Sequence, residues 1–217
     1  DVGVGFNKKN NQLKDRFNTF LAEIKANGIY DDMVNRWMIK GEIVMPEISE
    51  PKTEATLLVG VSDGNLPFTI VKDNQLIGFD IELSKRFAAF EGKNIKFLNM
   101  DFGSLIAAVS TGKADMIASS IYVTNERKKQ IDFSDPYYFE GTKVFALKQN
   151  VNVPSTKNPE DHLLASLDDL HNKNIGVMLG STHDTFAHKH YPQAEIHQYK
   201  SPSDVLLAVK TQKVDVG

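Results

Sequence analysis

Apolar residues change their spacing once within residues 1–41. DVGVGF (1–6) is a short, glycine-containing apolar run of strand type. In LKDRFNTFLAEIKANG, Leu13, Phe17, Phe20, Leu21 and Ile24 recur at three- and four-residue intervals and share one helical face. Asn27-Gly28 forms a stop signal for that helix, and a second short helix, IYDDMVNRWMIKG, runs to Gly41. The periodicity then disappears. EIVMPEISEPKTEAT (42–56) holds two prolines and four glutamates and reads as a linker, semi-extended at its Xaa-Pro bonds.

Beyond it, strand and helix patterns alternate. LLVGVS (57–62) reads as a buried strand, NQLIGF as a turn and return strand centred on Gly78, and DIELSKRFAAFEG as a helix. NIKFLNM, FGSLIAAVSTG and ADMIASS continue as strand, helix and strand. A second series opens at 142: TKVFALK strand, SLDDLHN short helix, NIGVML strand, STHDTFAHKH helix, AEIHQY strand, SPSDVLLAVKTQ helix and KVDVG strand. This alternation predicts an α/β fold with largely parallel sheets. Two series predict two lobes, with 134–143 as the crossing: 57–138 in lobe one and 139–217 in lobe two. Asp80, Ser181 and Ser201 stand where N-caps belong. Helix starts that follow strand ends leave N–H groups facing a crevice suited to anions.

Composition narrows the functional classes. The 217 residues are 41% hydrophobic and 24% charged, with a net charge of −3. The 25 basic residues are spread and balanced, which argues against a nucleic-acid partner. With no cysteine, disulfides, thiolate metal sites and cysteine nucleophiles are excluded. No apolar run approaches the roughly 20 residues that span a bilayer, and no secretory leader is visible at DVGVGF.

Among candidates for chemistry, Arg127 comes first. DMIASSIYVTNER brings a strand end, Ser119, Ser120 and Tyr122 just before it, and a planar guanidinium suits a carboxylate bidentately. The competing reading is an arginine on a solvated helix turn. Phe102, at a strand-to-helix switch, is either a pocket wall or core. Gly180, Ser181 and Thr182 either present donors or form a simple capped turn. His183, His188 and His190 do not share one helical face and have no matching carboxylate, so no metal is expected. Phosphate-loop, dinucleotide and nucleophile-elbow motifs are absent, and no cofactor is expected. The residues favour binding over turnover.

LLVGVSDGNLPFTIVKDNQLIGFDIELSKRFA and NMDFGSLIAAVSTGKADMIASSIYVTNERKKQIDFSDPYY resemble the extracytoplasmic solute-binding proteins of polar amino-acid ABC transporters, family 3. SLDDLHNKNIGVMLGSTHDTF and VLLAVKTQKVDVG resemble that family's second lobe. Residues 1–41 resemble its carboxyl-terminal end, so the order is altered, as in a tandem-domain fragment or a circular permutation. A tandem fragment is the preferred reading, with lobe one complete and lobe two truncated. The resemblance implies a two-lobed, type II periplasmic-binding-protein-like fold outside the cytoplasmic membrane, with an amino acid or small polar solute in the interlobe cleft. A membrane permease is the implied partner, and exchange of strands with a second copy is a further expectation. By the same resemblance Arg127 grips the ligand carboxylate, Phe102 packs on the ligand, and Ser119, Ser120, Tyr122, Ser181 and Thr182 offer contacts.

The sequence departs from the family pattern at several positions. Asn65 stands where an aromatic is frequent, Ser62 holds the position of an acid with Asp63 next to it, and Tyr122 replaces a small hydroxyl residue. The acid that pairs with the ligand ammonium in the family lies beyond Gly217. Alternatives on the same fold are a dehydratase-like enzyme, which needs a general acid facing the cleft, and a ligand-sensing domain.

Overall fold

A computed structural model describes residues 1–51, 53–151, 164 and 166–217. The chain forms two compact units, Asp1–Glu140 and Gly141–Gly217.

The first unit is built on a five-stranded sheet. In chain order its elements are β1 (Gly5–Phe6), α1 (Asn11–Ala26), α2 (Ile29–Val34), β2 (Thr56–Val61), β3 (Ile70–Lys72), β4 (Gln75–Ile77), α3 (Phe79–Phe90), β5 (Asn94–Asn99), α4 (Leu105–Ser110), β6 (Met116–Ile117), α5 (Asn125–Lys128) and β7 (Asp132–Phe133). The strand order is β5-β2-β6-β1-β7. β2 runs parallel to β5 and β6, while β1 lies antiparallel between β6 and β7. The apolar face of α1 is buried as its periodicity predicts. Phe6, Phe17, Phe20 and Phe87 form a tilted and edge-to-face ring cluster, with Phe17 and Phe87 centroids 5.0 Å apart.

A buried charge joins the N-terminal segment to this unit. After α2 the backbone widens into one π-helical turn, Asn35–Ile39. Arg36 Nη2 and Trp37 Nε1 each donate to the fully buried Glu82 carboxylate at 2.7 Å, and Arg86 donates to it from its own helix at 2.8 Å. Among residues 42–55 the described ones form no helix or strand, yet they lie against the unit. Ile43 accepts from Lys72 Nζ at 3.2 Å, Ala55 accepts from the Asn94 N–H at 2.8 Å, and Ile43 and Met45 pack on the core.

Two local expectations are corrected here. The hairpin turn is Asp73-Asn74, both at positive φ, and Gln75–Ile77 forms the return strand. Gly78 instead opens α3 at φ 136, where an added Cβ would lie 2.1 Å from the Phe68 carbonyl oxygen. Nor does Asp80 cap that helix. It sits in the first turn, fully buried.

The second unit contains β8 (Asn174–Met178), α6 (Thr182–His190), β9 (Glu195–Tyr199) and α7 (Pro202–Lys210). β8 and β9 pair in parallel through the α6 crossover. Ile175, Val177, Ala187, Tyr191 and Val216 form its core with Leu170. The expected strands TKVFALK and KVDVG are reduced to isolated pairings, Ala146 with Val216 and Val216 with Ile175. Both runs are apolar enough for strands, but only one residue of each finds a ladder partner.

Candidate functional site

The C-terminal ends of β2 and β6 lie side by side, and the predicted residues of the first unit gather around them. Ser62, just past β2, donates its N–H to Ser119 Oγ at 3.0 Å, and Ser119 Oγ donates back to the Ser62 carbonyl at 3.1 Å. The Ser119 hydroxyl proton thus ties two strand ends together. Asp63 donates its N–H to Asn99 Oδ1 at 3.3 Å. Asn65 closes a tight loop over a cis Leu66–Pro67 bond, exchanging backbone hydrogen bonds with Thr69.

Arg127 lies in α5, whose start is capped by Thr124, the hydroxyl of which accepts the Arg127 N–H. Its side chain reaches back over the strand end. Nη1 donates to the Tyr122 carbonyl at 2.8 Å, and Cζ lies 5.5 Å from the centre of the Phe102 ring. Phe102 is buried and opens a short 3₁₀ turn after β5. A guanidinium over an aromatic face gains about 0.5–2 kcal/mol, depending on desolvation. Burial also lowers the Arg127 pKa from its ordinary value, because the charged form loses water. The site therefore holds a partly dehydrated cation.

Ser120 is buried and left-handed at φ 47, a conformation that needs local support in a non-glycine residue. Asp80 supplies it: its Oδ2 accepts the Ser120 N–H at 2.7 Å, while Oδ1 accepts from the Tyr137 hydroxyl at 2.6 Å. Burial pushes the Asp80 pKa up to about 7; the Tyr137 and Ser120 hydrogen bonds oppose the rise, and the Glu140 charge adds to it. Glu140 in turn accepts from Ser120 Oγ at 3.3 Å and from the Tyr122 hydroxyl at 2.8 Å. Burial first, then this bond and charge, raise the Tyr122 pKa well above the phenol range.

In the second unit, Ser181 caps α6 by accepting the Asp184 N–H at 3.1 Å, and Thr182 is the helix's first residue. Asp184 accepts the Gly180 N–H at 3.0 Å. His188 pairs with Asp184, His183 meets Thr142, and His190 stacks on Phe186. Among the described residues no group of three potential metal ligands converges.

Sequence reasoning did not single out Asp80, Tyr137 or Glu140 as site-forming. Asp80 has the spacing of a cap, and DPYYFE reads as connection between lobes. The available signal was density: three polar or acidic groups in a short aromatic stretch that follows Arg127.

Residues 57–215 match the model of bacterial extracellular solute-binding proteins, family 3, and the chain belongs to that family. A probable histidine-binding protein of Campylobacter jejuni is 35% identical over 167 residues, covering 77% of this chain. The chain spans about 60% of that relative's length. Among solved structures, an ancestral arginine-binding protein bound to arginine is similar at a TM-score of 0.65 and 34% identity, over 75% of this chain and 69% of that one. An ancestral amino-acid-binding protein, AncCDT-1, described as a precursor of cyclohexadienyl dehydratase, is similar at 0.65 and 32%, over 75% and 68%. The α/β fold of periplasmic-binding-protein type expected from sequence is borne out by these likenesses.

Proposed function

We propose that the chain captures an amino acid or similar small polar solute outside the cytoplasmic membrane and that the captured solute passes to an ABC-transporter permease. One observation carries this reading: the Arg127 guanidinium is seated on the Phe102 ring and tethered to the Tyr122 carbonyl beside two strand ends. A fork held in that way is pre-organised for a carboxylate, because less side-chain freedom remains to be lost on binding. A relative named as a probable histidine-binding protein, and a structural neighbour bound to arginine, support an amino-acid ligand.

The carboxylate site proposed here is built wholly from residues of the first unit. Residues 1–41 and 57–138 together form lobe one, a reading supported by β1 between β6 and β7 and by Glu82 holding Arg36 and Trp37. We favour binding over a dehydratase-like reaction. Asp80, the acid whose pKa is pushed up to about 7, is fully buried with both oxygens hydrogen-bonded, and so cannot deliver a proton to a solute. Among the described residues no helix is long and apolar enough to cross a membrane.

Thermal unfolding with each of the twenty amino acids tests the reading. At a free concentration of 100 Kd a true ligand adds about 2.7 kcal/mol to folded-state stability. At least one amino acid is expected to raise Tm in the wild type and to do nothing for Arg127→Met. An unchanged Tm across the panel, or a shift that survives in Arg127→Met, would refute it.

A further inference from the structure

Glu140 is a half-buried carboxylate whose hydrogen-bond partners are both neutral. Oε1 accepts from Ser120 and Oε2 from Tyr122. Among the described residues no Lys, Arg or His lies within ion-pair distance of it. An ionised carboxylate accepts about four hydrogen bonds, so two acceptor positions remain. Carrying such a charge out of bulk water without a counter-charge is unfavourable unless a partner arrives.

The surrounding backbone aims the group. Ser120 is turned left-handed by the Asp80 bond to its N–H, and in that conformation its hydroxyl meets Oε1. Tyr122 donates its phenol to Oε2 while its own carbonyl receives Arg127. One residue therefore orients a cation from its backbone and an anion from its side chain.

We propose that Glu140 recognises a cationic nitrogen of the amino acid whose carboxylate sits on Arg127. The proposal rests on the amino-acid reading above and adds the group that selects the positively charged end, either the α-ammonium or a side-chain guanidinium. It also makes Glu140 a specificity-determining residue: a Glu140→Gln protein keeps the hydroxyl contacts in shape but loses the charge that discriminates among solutes.

Calorimetry on the whole chain separates these claims, using L-arginine, its deaminated analogue 5-guanidinopentanoate, and L-citrulline, whose side chain is neutral. The wild type is expected to bind L-arginine and to prefer it by about 10-fold or more over the analogue that lacks the nitrogen Glu140 reads. Whichever analogue is disfavoured identifies that nitrogen. Glu140→Gln is expected to lose about 10-fold or more in affinity for L-arginine and to erase the preference. Retained affinity and preference in Glu140→Gln overturn the proposal and leave the Arg127 reading intact. Absence of binding by the wild type overturns the proposal and leaves the amino-acid reading to the twenty-amino-acid panel. Glu140→Asp, which keeps the charge, is expected to keep the preference. A preference lost equally in both variants marks a structural effect and also overturns the proposal.

Discussion

Asp80 shows how one residue can support a site without touching a solute. Its carboxylate holds the left-handed Ser120 and is held by Tyr137. Its pKa rises from 3.8 in the unfolded chain to about 7, so the folded state binds a proton more tightly between those values. Its contribution to stability is full below about pH 4 and is lost as pH rises through about 7, a change on the order of 4 kcal/mol. Urea unfolding of wild type and Asp80→Asn at pH 4, 6 and 8 should show the wild type losing stability relative to the variant across that window. Parallel pH profiles would contradict the assignment. Arg127, Ser120 and Tyr122 were legible in sequence because they crowd one strand end. The partners of Asp80 and Ser119 were not, because their bonds cross 40 and 57 residues of chain, and no local spacing encodes such partners.

At the scale of elements, the π turn after α2 sets Arg36 and Trp37 on one carboxylate. Glu82 is fully buried and takes donors from both as well as from Arg86. Removing the charge leaves Arg36 and Trp37 without their acceptor in a mostly buried setting, which costs roughly 3–5 kcal/mol. Glu82→Ala is therefore expected to lower the urea midpoint strongly, while Glu126→Ala on exposed α5 changes it little. Similar midpoints for the two variants would show that the buried cluster contributes nothing. The amphipathic helices were read correctly from spacing, since a 3.6-residue period leaves a direct trace. Strands were over-read: DVGVGF and ADMIASS each supply a two-residue strand, and TKVFALK supplies one bridge. Apolar runs reveal burial, whereas pairing depends on distant partners that the run itself does not specify.

For the whole molecule, the order of elements matters more than their identity. β1 lies between β6 and β7, and α1 covers Phe87 of α3, so the first 41 residues complete a sheet and a core otherwise formed after residue 56. A chain limited to residues 57–217 loses an interior strand and uncovers the Phe87 cluster. It is expected to lack cooperative unfolding by circular dichroism, and a cooperative melt near the wild-type midpoint would contradict this dependence. The alternation of strand and helix patterns made the α/β class readable, and family motifs made Arg127 readable. The burial of Asp80 and the aim of Glu140 emerge only once the strand ends meet.

The central claim is that the Arg127 fork receives the carboxylate of an amino acid. It is tested most directly by a crystal structure of the whole chain grown with saturating L-arginine. A carboxylate oxygen about 2.7–2.9 Å from an Arg127 guanidinium nitrogen, with the ligand against Phe102, is the predicted result. L-arginine bound away from Arg127 would contradict it.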